Sequence, residues 1–271
     1  MLRRPIPRTQ EMIPAIGLGT WQAFDVDPAG EPPVVEVVRG FLAAGGRLID
    51  SSPMYGRAET VVGDVLHEVG AIGAPFLATK VWTRGAKQGE AQMAHSRQVM
   101  RAPRIDLMQI HNLLDWQTHL PILRAMKQRG AIRYLGVTHY SHQELPQIER
   151  LMKTESLDFI QVPYNLLDRT VEARVLPTAA DTGTAVIVMR PFEEGALFHR
   201  VRGKPLPAWA AEIDCTSWSQ VFLKFILAHP AVTCPIPATR DPAHLADNMK
   251  AGLGRLPDAD HRKLMIAALG G

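Results

Sequence analysis

The sequence has few cysteines, little net charge and no long apolar run, and each scarcity excludes a class of protein. Its two cysteines, Cys215 and Cys234, are too few for a disulfide framework, so we expect a reducing, cytoplasmic environment. No apolar run reaches the roughly 18 residues needed to span a membrane. The 30 basic and 27 acidic residues leave a net charge of +3 and are spread along the chain, without the basic block typical of nucleic-acid binding.

The histidines also lack a metal-binding pattern. A metal-dependent barrel hydrolase typically carries a His-x-His pair on its first strand, whereas the first apolar run here, at residues 16–21, contains no histidine. We therefore expect no metal site.

Short apolar runs alternate with longer amphipathic segments along the whole chain. The apolar runs predict eight strands, at residues 16–21, 47–50, 76–80, 106–111, 134–138, 159–162, 185–189 and 232–236. Helical periodicity follows each of them, at residues 32–44, 58–69, 89–101, 117–129, 142–153, 170–180, 216–229 and 242–252, and a last helix is expected at 258–269. Eight such alternations predict an α/β fold: a single (β/α)8 TIM barrel over residues 1–271, with a short N-terminal extension and an extra C-terminal helix.

The main alternative is an open, doubly wound sheet. Such a sheet usually carries a Gly-x-Gly-x-x-Gly turn after its first strand, but Gly17 and Gly19 lie within the first predicted strand, before any helix. Residues 190–215 contain several glycines and prolines and are predicted to form a long loop after the seventh strand. The pair Asp241-Pro242 is typical of a helix N-cap followed by proline at the first helical position.

Ionisable side chains end three successive predicted strands: Asp50, Lys80 and His111, with Tyr55 in the loop after Asp50. Active sites of these barrels lie at the carboxyl ends of the strands, so we expect the four side chains to meet. A free phenol has a pKa of roughly 10, which a neighbouring ammonium lowers. Lys80 could therefore tune Tyr55 as a proton donor to a carbonyl oxygen, with Asp50 holding Lys80 and His111 orienting the carbonyl. Taken singly, each could instead be a cap, a rim charge or a packed ring.

Several segments resemble the aldo-keto reductase superfamily and occur in that family's order. They are GLGTW, IDSSPMYGRAETVVGDVL, ATK, DLMQIHN, YLGVTHY and IPATRDPAHLADN, and together they cover nearly the whole chain. The resemblance implies reduction of an aldehyde or ketone by NADPH, with NADH also possible. It also implies a catalytic tetrad of Asp50, Tyr55, Lys80 and His111, in which Tyr55 donates the proton.

The resemblance further implies contacts with the nicotinamide end of the cofactor. Thr138, His139 and Gln161 correspond to residues near the carboxamide, and many family members have Ser-Asn at the first two positions. Met189 stands where many members stack a tyrosine on the nicotinamide, and a thioether can also cover an aromatic face. Arg190, beside it, could contact a phosphate.

The adenosine end is implied by the segment at residues 236–248. Thr239 and Arg240 precede a predicted helix N-terminus, and a helix N-terminus with an arginine is a natural anion site. Arg240 could bind a 2′-phosphate through two parallel hydrogen bonds, which favours NADPH over NADH. His244 and Asn248 complete this set, with Asn248 as an adenine contact.

Tryptophans are the substrate-pocket candidates: Trp21, Trp82 and, depending on the long loop, Trp209. Because the chain ends soon after the last predicted helix, we expect an open site without a C-terminal loop folded over it.

No long exposed apolar helix face predicts a dimer, so we expect a monomer that binds only a small carbonyl compound and its cofactor. The alternatives are a nicotinamide-binding regulatory subunit with little turnover, and a dehydrogenase of alcohols or sugars working in the oxidative direction.

Overall fold

Ten strands form a small hairpin and a barrel in the computed structural model, which describes residues 1–270. The strands are β1 (Arg3–Pro5), β2 (Met12–Pro14), β3 (Leu18–Gly19), β4 (Leu48–Asp50), β5 (Phe76–Val81), β6 (Ile105–His111), β7 (Ile132–Thr138), β8 (Phe159–Pro163), β9 (Ala185–Met189) and β10 (Cys234–Pro235). From β3 to β10 every strand pairs in parallel with the next strand in the chain. The predicted barrel is confirmed, and the doubly wound alternative is wrong.

Ten α-helices surround the strands. They are α1 (Glu31–Ala43), α2 (Ala58–Glu68), α3 (Ala86–Val99), α4 (Trp116–Gln128), α5 (Leu145–Thr154), α6 (Val175–Thr182), α7 (Ala196–Val201), α8 (Trp218–Leu227), α9 (Pro242–Lys250) and α10 (Ala259–Ala268). The extra C-terminal helix is therefore α10. Within residues 1–270, no helix combines the length and apolar character that crossing a membrane would require.

The seam between the first and last barrel strands is held by few hydrogen bonds. The amide groups of Gly17 and Gly19 donate to the carbonyl oxygens of Pro235 and Pro237, at 3.0 and 3.1 Å. Pro235 and Pro237 have no N–H group, so they cannot donate in the other direction. A Cβ atom on Gly19 would lie 2.6 Å from the Ile236 carbonyl oxygen, so the close approach at this seam requires glycine.

The prolines also explain why two strand predictions were too long. The first and last strands were predicted at 16–21 and 232–236, but β3 and β10 keep only two residues each. A proline removes a donor from the ladder, and the regular pairing stops there.

The region between β9 and α8 corrects a prediction. Residues 190–215, expected to be a loop, contain α7 and two short 3-10 segments, Glu193–Gly195 and Ala208–Ile213. Gly195, at φ 95°, is the N-cap of α7, and the side chains of Leu197 and Val201 on this helix are buried. The glycines and prolines of this segment favoured the prediction of a loop, although it contains this short amphipathic helix.

The hairpin β1–β2 closes the amino-terminal end of the barrel. Its Ile6 and Ile13 are buried in an apolar cluster with the barrel side chains Phe76, Tyr134 and Phe159. The opposite end, where the strands finish, is left open for the candidate site.

Candidate active site

A buried ion pair lies at the open end of the barrel. The Lys80 ammonium on β5 donates to Asp50 Oδ2 on β4 at 2.6 Å and to the Ser51 carbonyl oxygen at 2.8 Å. Asp50 and Lys80 are each only 1% exposed. Burial alone lowers the pKa of Lys80, but the Asp50 carboxylate and the Tyr55 phenol outweigh it and the pKa is raised, which keeps the ammonium charged.

Tyr55 stands beside this pair at the end of the turn after β4. The Lys80 nitrogen lies 5.1 Å from the centre of its ring. The turn needs glycine at position 56, where φ is 58° and a Cβ atom would lie 2.3 Å from the Asp25 carboxylate. Burial raises the pKa of the Tyr55 phenol, and the opposing effect of Lys80 is smaller. The expectation of a lowered phenol pKa is therefore wrong here, because desolvation exceeds the ammonium's effect.

His111 ends β6 and is buried against its neighbours. Its ring lies edge-on to the Tyr55 ring, with centroids 5.8 Å apart, and 6.3 Å from the Trp82 ring. Burial, followed by the effects of Lys80 and His139, lowers the pKa of His111 to about 3. The imidazole is therefore neutral at physiological pH.

Three neighbours of the tetrad escaped the sequence analysis. Gln109, two residues before His111, donates from Nε2 to Asp50 Oδ1 at 3.2 Å. The Thr20 hydroxyl donates to the Asp50 carbonyl oxygen, and Ser52 Oγ lies 2.9 Å from His111 Nδ1. Gln109 has a sequence signal, because alternation along β6 places it on the same face as His111. The sequence carries no comparable signal for the contacts of Thr20 and Ser52.

Two buried polar atoms without a partner lie on the neighbouring strands β7 and β8. Thr138 and Gln161 are register partners on β7 and β8, and neither Thr138 Oγ1 nor Gln161 Oε1 has a hydrogen-bond partner within residues 1–270. Buried polar atoms are normally paired, so this unpaired couple, of which Gln161 lines the cavity, suits a ligand amide. His139 is half-buried beside them, and its Nδ1 accepts from the Ser141 amide at 3.0 Å.

Met189 and Arg190 lie at the end of β9 and line the same cavity as Gln161. The Arg190 guanidinium pairs with Glu194 at 3.1 Å and lies 5.1 Å from the centre of the Tyr140 ring. It therefore bridges the loops after β7 and β9, across the end of β8.

The adenosine candidates gather at α9, just outside the cavity wall. Asp241 caps this helix as predicted, accepting from the Ala243 amide at 2.7 Å, and Thr239 Oγ1 accepts from the Asp241 amide. Arg240 is exposed, and within residues 1–270 its guanidinium forms no ion pair or hydrogen bond. His244 is exposed and 3.7 Å from Asp241, whereas Asn248 is buried on the same helix.

A cavity of about 590 Å³ is lined by Tyr55, His111, Gln161, Met189 and Ala238. Trp21 is 38% exposed and lines it, whereas Trp82 flanks it through its contact with His111. Trp209 does not line it: this ring packs against the core. No residue of α10 contributes to the cavity wall.

Within residues 1–270, no cluster of three or more histidine, cysteine, aspartate or glutamate side chains is arranged to hold a metal ion.

The chain is similar in sequence to reductases of known type. It is 30% identical over 199 residues to Aldo-keto reductase YhdN of Bacillus subtilis, an alignment that covers 67% of this chain and spans 59% of that protein's length. It is 27% identical over 247 residues to the NADH-specific methylglyoxal reductase of Escherichia coli, covering 78% of this chain and 73% of that protein.

Among solved structures, an aldo/keto reductase from Klebsiella pneumoniae in complex with NADP and acetate superposes with a TM-score of 0.83 at 22% identity. The match covers 98% of this chain and 94% of that one. Residues 15–268 match the sequence model of the aldo/keto reductase family. This chain therefore belongs to the aldo/keto reductase family.

Proposed function

We propose that this chain reduces an aldehyde or ketone to the alcohol with NADPH. The observation that carries the proposal is the meeting of Tyr55, His111, Lys80 and Asp50 at one wall of an open cavity. A proton donor, a carbonyl-orienting group and a buried cation are what a protein can contribute to carbonyl reduction when a cofactor supplies the hydride.

Tyr55 donates its phenolic proton to the carbonyl oxygen as the carbonyl carbon is reduced. Its raised pKa keeps the phenol protonated at neutral pH, which is the form that a general acid needs. The Lys80 ammonium stabilises the phenolate left behind, and Asp50 holds Lys80 in place. Neutral His111 donates a hydrogen bond to the same oxygen and orients it.

Bound NADPH would supply the hydride, and several residues suit this cofactor. Thr138 and Gln161 offer the unpaired polar atoms that a carboxamide satisfies, with His139 beside them. Met189 would offer a thioether face to the nicotinamide ring, and Arg190 a cation that suits the phosphates. The NADP bound by the Klebsiella pneumoniae structure, on the same fold, supports this assignment.

The cofactor preference depends on Arg240. An exposed guanidinium without an acidic partner, next to the N-terminus of α9, suits the 2′-phosphate of NADPH. Thr239, His244 and Asn248 would hold the rest of the adenosine. Because the Escherichia coli relative is NADH-specific, NADH remains the competing cofactor to test.

Arg240→Gln is expected to weaken NADPH binding by about ten- to a hundredfold, because it removes charge-assisted hydrogen bonds to the phosphate. NADH binding, which lacks that phosphate, should change less than about threefold. Fluorescence titration of both cofactors measures the two affinities on the same protein. Equal losses for the two cofactors would contradict the assignment.

The central test follows NADPH oxidation at 340 nm with a reactive aldehyde in the wild type and in Tyr55→Phe. We expect turnover in the wild type and its loss in the variant, with NADPH affinity retained. Tyr134→Phe is the matched control, since its hydroxyl contacts Thr9 and Glu11 at the closed end of the barrel. Loss of turnover in this control would show that the assay responds to folding instead of chemistry.

Two further outcomes would replace the proposal. Tight NADPH binding without turnover across a broad panel of aldehydes and ketones favours a regulatory subunit. Faster turnover of alcohols with NADP⁺ than of carbonyls with NADPH favours a dehydrogenase, which uses the same residues in reverse.

We also propose that the barrel acts as a single domain and a monomer. Trp21, Met54, Tyr140 and Phe198 are exposed, but they gather along the cavity, which suits a small-molecule substrate better than a subunit interface. Sedimentation velocity at micromolar concentration tests the monomer directly, and a concentration-dependent dimer would contradict it.

A further inference from the structure

Ser52 contacts both His111 and Tyr55, the two residues proposed to contact the substrate. Its Oγ atom lies 2.9 Å from His111 Nδ1, and its carbonyl oxygen accepts from the Tyr55 amide at 3.0 Å. Ser52 is fully buried and His111 is 6% exposed, so water does not compete for the contact between their side chains. A single residue of the turn after β4 thus links the proton donor to the histidine.

The hydrogen bonds around Ser52 Oγ fix the direction of the contact. The Met54 amide donates to this oxygen at 3.2 Å, so one lone pair is already used. If His111 Nδ1 also donated to it, the hydroxyl proton would be left buried without an acceptor, at a cost in free energy. If the hydroxyl donates to Nδ1, the hydroxyl, the Met54 amide and Nδ1 each have a partner.

The other ring nitrogen then carries the proton. A neutral imidazole has one N–H, and accepting at Nδ1 places it on Nε2. Within residues 1–270, Nε2 has no hydrogen-bond partner, and the ring lines the cavity. The charged or titratable groups that influence this ring are Lys80, Tyr55 and His139, and none offers Nδ1 an alternative acceptor.

We propose that Ser52 is a positioning residue that holds neutral His111 in its Nε2–H tautomer, with that N–H available to a carbonyl oxygen in the cavity. The catalytic consequence rests on the proposed reductase function, whereas the tautomer itself does not. In the opposite tautomer, Nε2 would present a lone pair to the carbonyl oxygen and repel it.

Nitrogen-15 NMR of the histidine rings tests the tautomer on the protein without substrate. The His111 signals are assigned by their loss in His111→Gln. At pH 7 we expect a protonated Nε2 and an unprotonated Nδ1. Ser52→Ala should shift the tautomer ratio toward Nδ1–H by about fivefold, the size of one neutral hydrogen bond, and Ser52→Thr, which keeps a hydroxyl, should restore it.

Ser96→Ala is the matched control. Its hydroxyl is equally buried and makes one hydrogen bond, to Glu59 between α2 and α3, away from the barrel mouth. The His111 signals should be unchanged in this variant. In aldehyde reduction, Ser52→Ala should lower kcat by at most about threefold, because a fivefold shift in the tautomer ratio leaves at least a third of the Nε2–H form, while the NADPH dissociation constant stays the same.

The possible results separate the two proposals. A wild-type His111 with its proton on Nδ1, or an unchanged tautomer in Ser52→Ala, overturns the role of Ser52 even if the enzyme reduces aldehydes. A fixed Nε2–H tautomer that responds to Ser52→Ala in a protein without turnover leaves the positioning role standing and overturns the reductase function.

Discussion

Asp50 and Lys80 depend on each other because both are buried at the barrel mouth. Lys80→Met should destabilise the fold by about 3–5 kcal/mol, since it leaves the Asp50 carboxylate buried with Gln109 as its remaining side-chain donor. The double variant Asp50→Leu/Lys80→Met should recover much of that loss, because no buried charge remains. Urea unfolding of the three proteins measures the effect. A double variant no more stable than Lys80→Met would contradict this account.

His111 links folding to pH. Its pKa is about 3 in the folded protein against 6.5 for an ordinary histidine, so the unfolded chain binds more protons between these values. Stability should therefore fall as the pH drops below 6.5, by at most about 1.4 kcal/mol per pH unit. Urea unfolding between pH 7 and 4 should show this extra loss in the wild type and not in His111→Gln. Parallel pH profiles for the two proteins would contradict a neutral, buried His111.

At the scale of elements, Arg262 joins the helix α10 to the rest of the barrel. Its guanidinium donates to the Phe225 carbonyl oxygen at 2.6 Å and to the Tyr164 hydroxyl at 3.0 Å, pairs with Glu172 and covers the Phe225 ring. Burial and the hydrogen bond to Glu172 raise the pKa of Tyr164, so this phenol stays neutral. The network joins β8, α8 and α10 on the outside of the barrel.

Arg262→Met is expected to cost about 2–3 kcal/mol of stability, because it removes hydrogen bonds from a charged group that is mostly buried. Turnover at 25 °C should be unchanged, since α10 does not line the cavity. Lys263→Met is the control: its partner Asp260 is as exposed as Lys263 itself, and such pairs contribute little. Equal losses of unfolding free energy in the two variants, measured with urea, would contradict this interpretation.

The sequence predicted some elements better than others for physical reasons. The strands β5 to β9 are mostly apolar and almost entirely buried, so their positions could be predicted to within a few residues. The helix α7 could not, because Phe192 and Phe198 pack their rings against Phe222, far along the chain. Such long-range packing leaves no local periodicity.

The candidate site divides in the same way. The positions of Asp50, Lys80 and His111 follow from the rule that strand ends carry the chemistry. The link from Ser52 to His111 does not, because it depends on how a turn folds back over a strand 59 residues away. The sign of the Tyr55 pKa shift was also beyond the sequence, since it depends on how much water the fold removes.

At the scale of the whole molecule, the barrel is a rolled sheet whose edge strands, β3 and β10, meet at a seam with few hydrogen bonds. Gly17 and Gly19 donate across the seam, and Pro235 and Pro237 return nothing. Local opening concentrates where backbone hydrogen bonds are few. In hydrogen exchange, the amides of Gly17 and Gly19 should therefore exchange well before those of β6 and β7. Equal protection throughout the barrel would contradict this.

The weak seam between β3 and β10 also implies that ligand binding is lost before the fold on heating. Trp21 follows one edge of the seam and Ala238 follows the other, and both line the cavity. If the seam hydrogen bonds break before the core unfolds, the cavity walls that contain Trp21 and Ala238 would move apart while the rest of the fold persists. On heating, the protein should therefore lose affinity for small molecules at a temperature where its circular dichroism is still that of a folded protein.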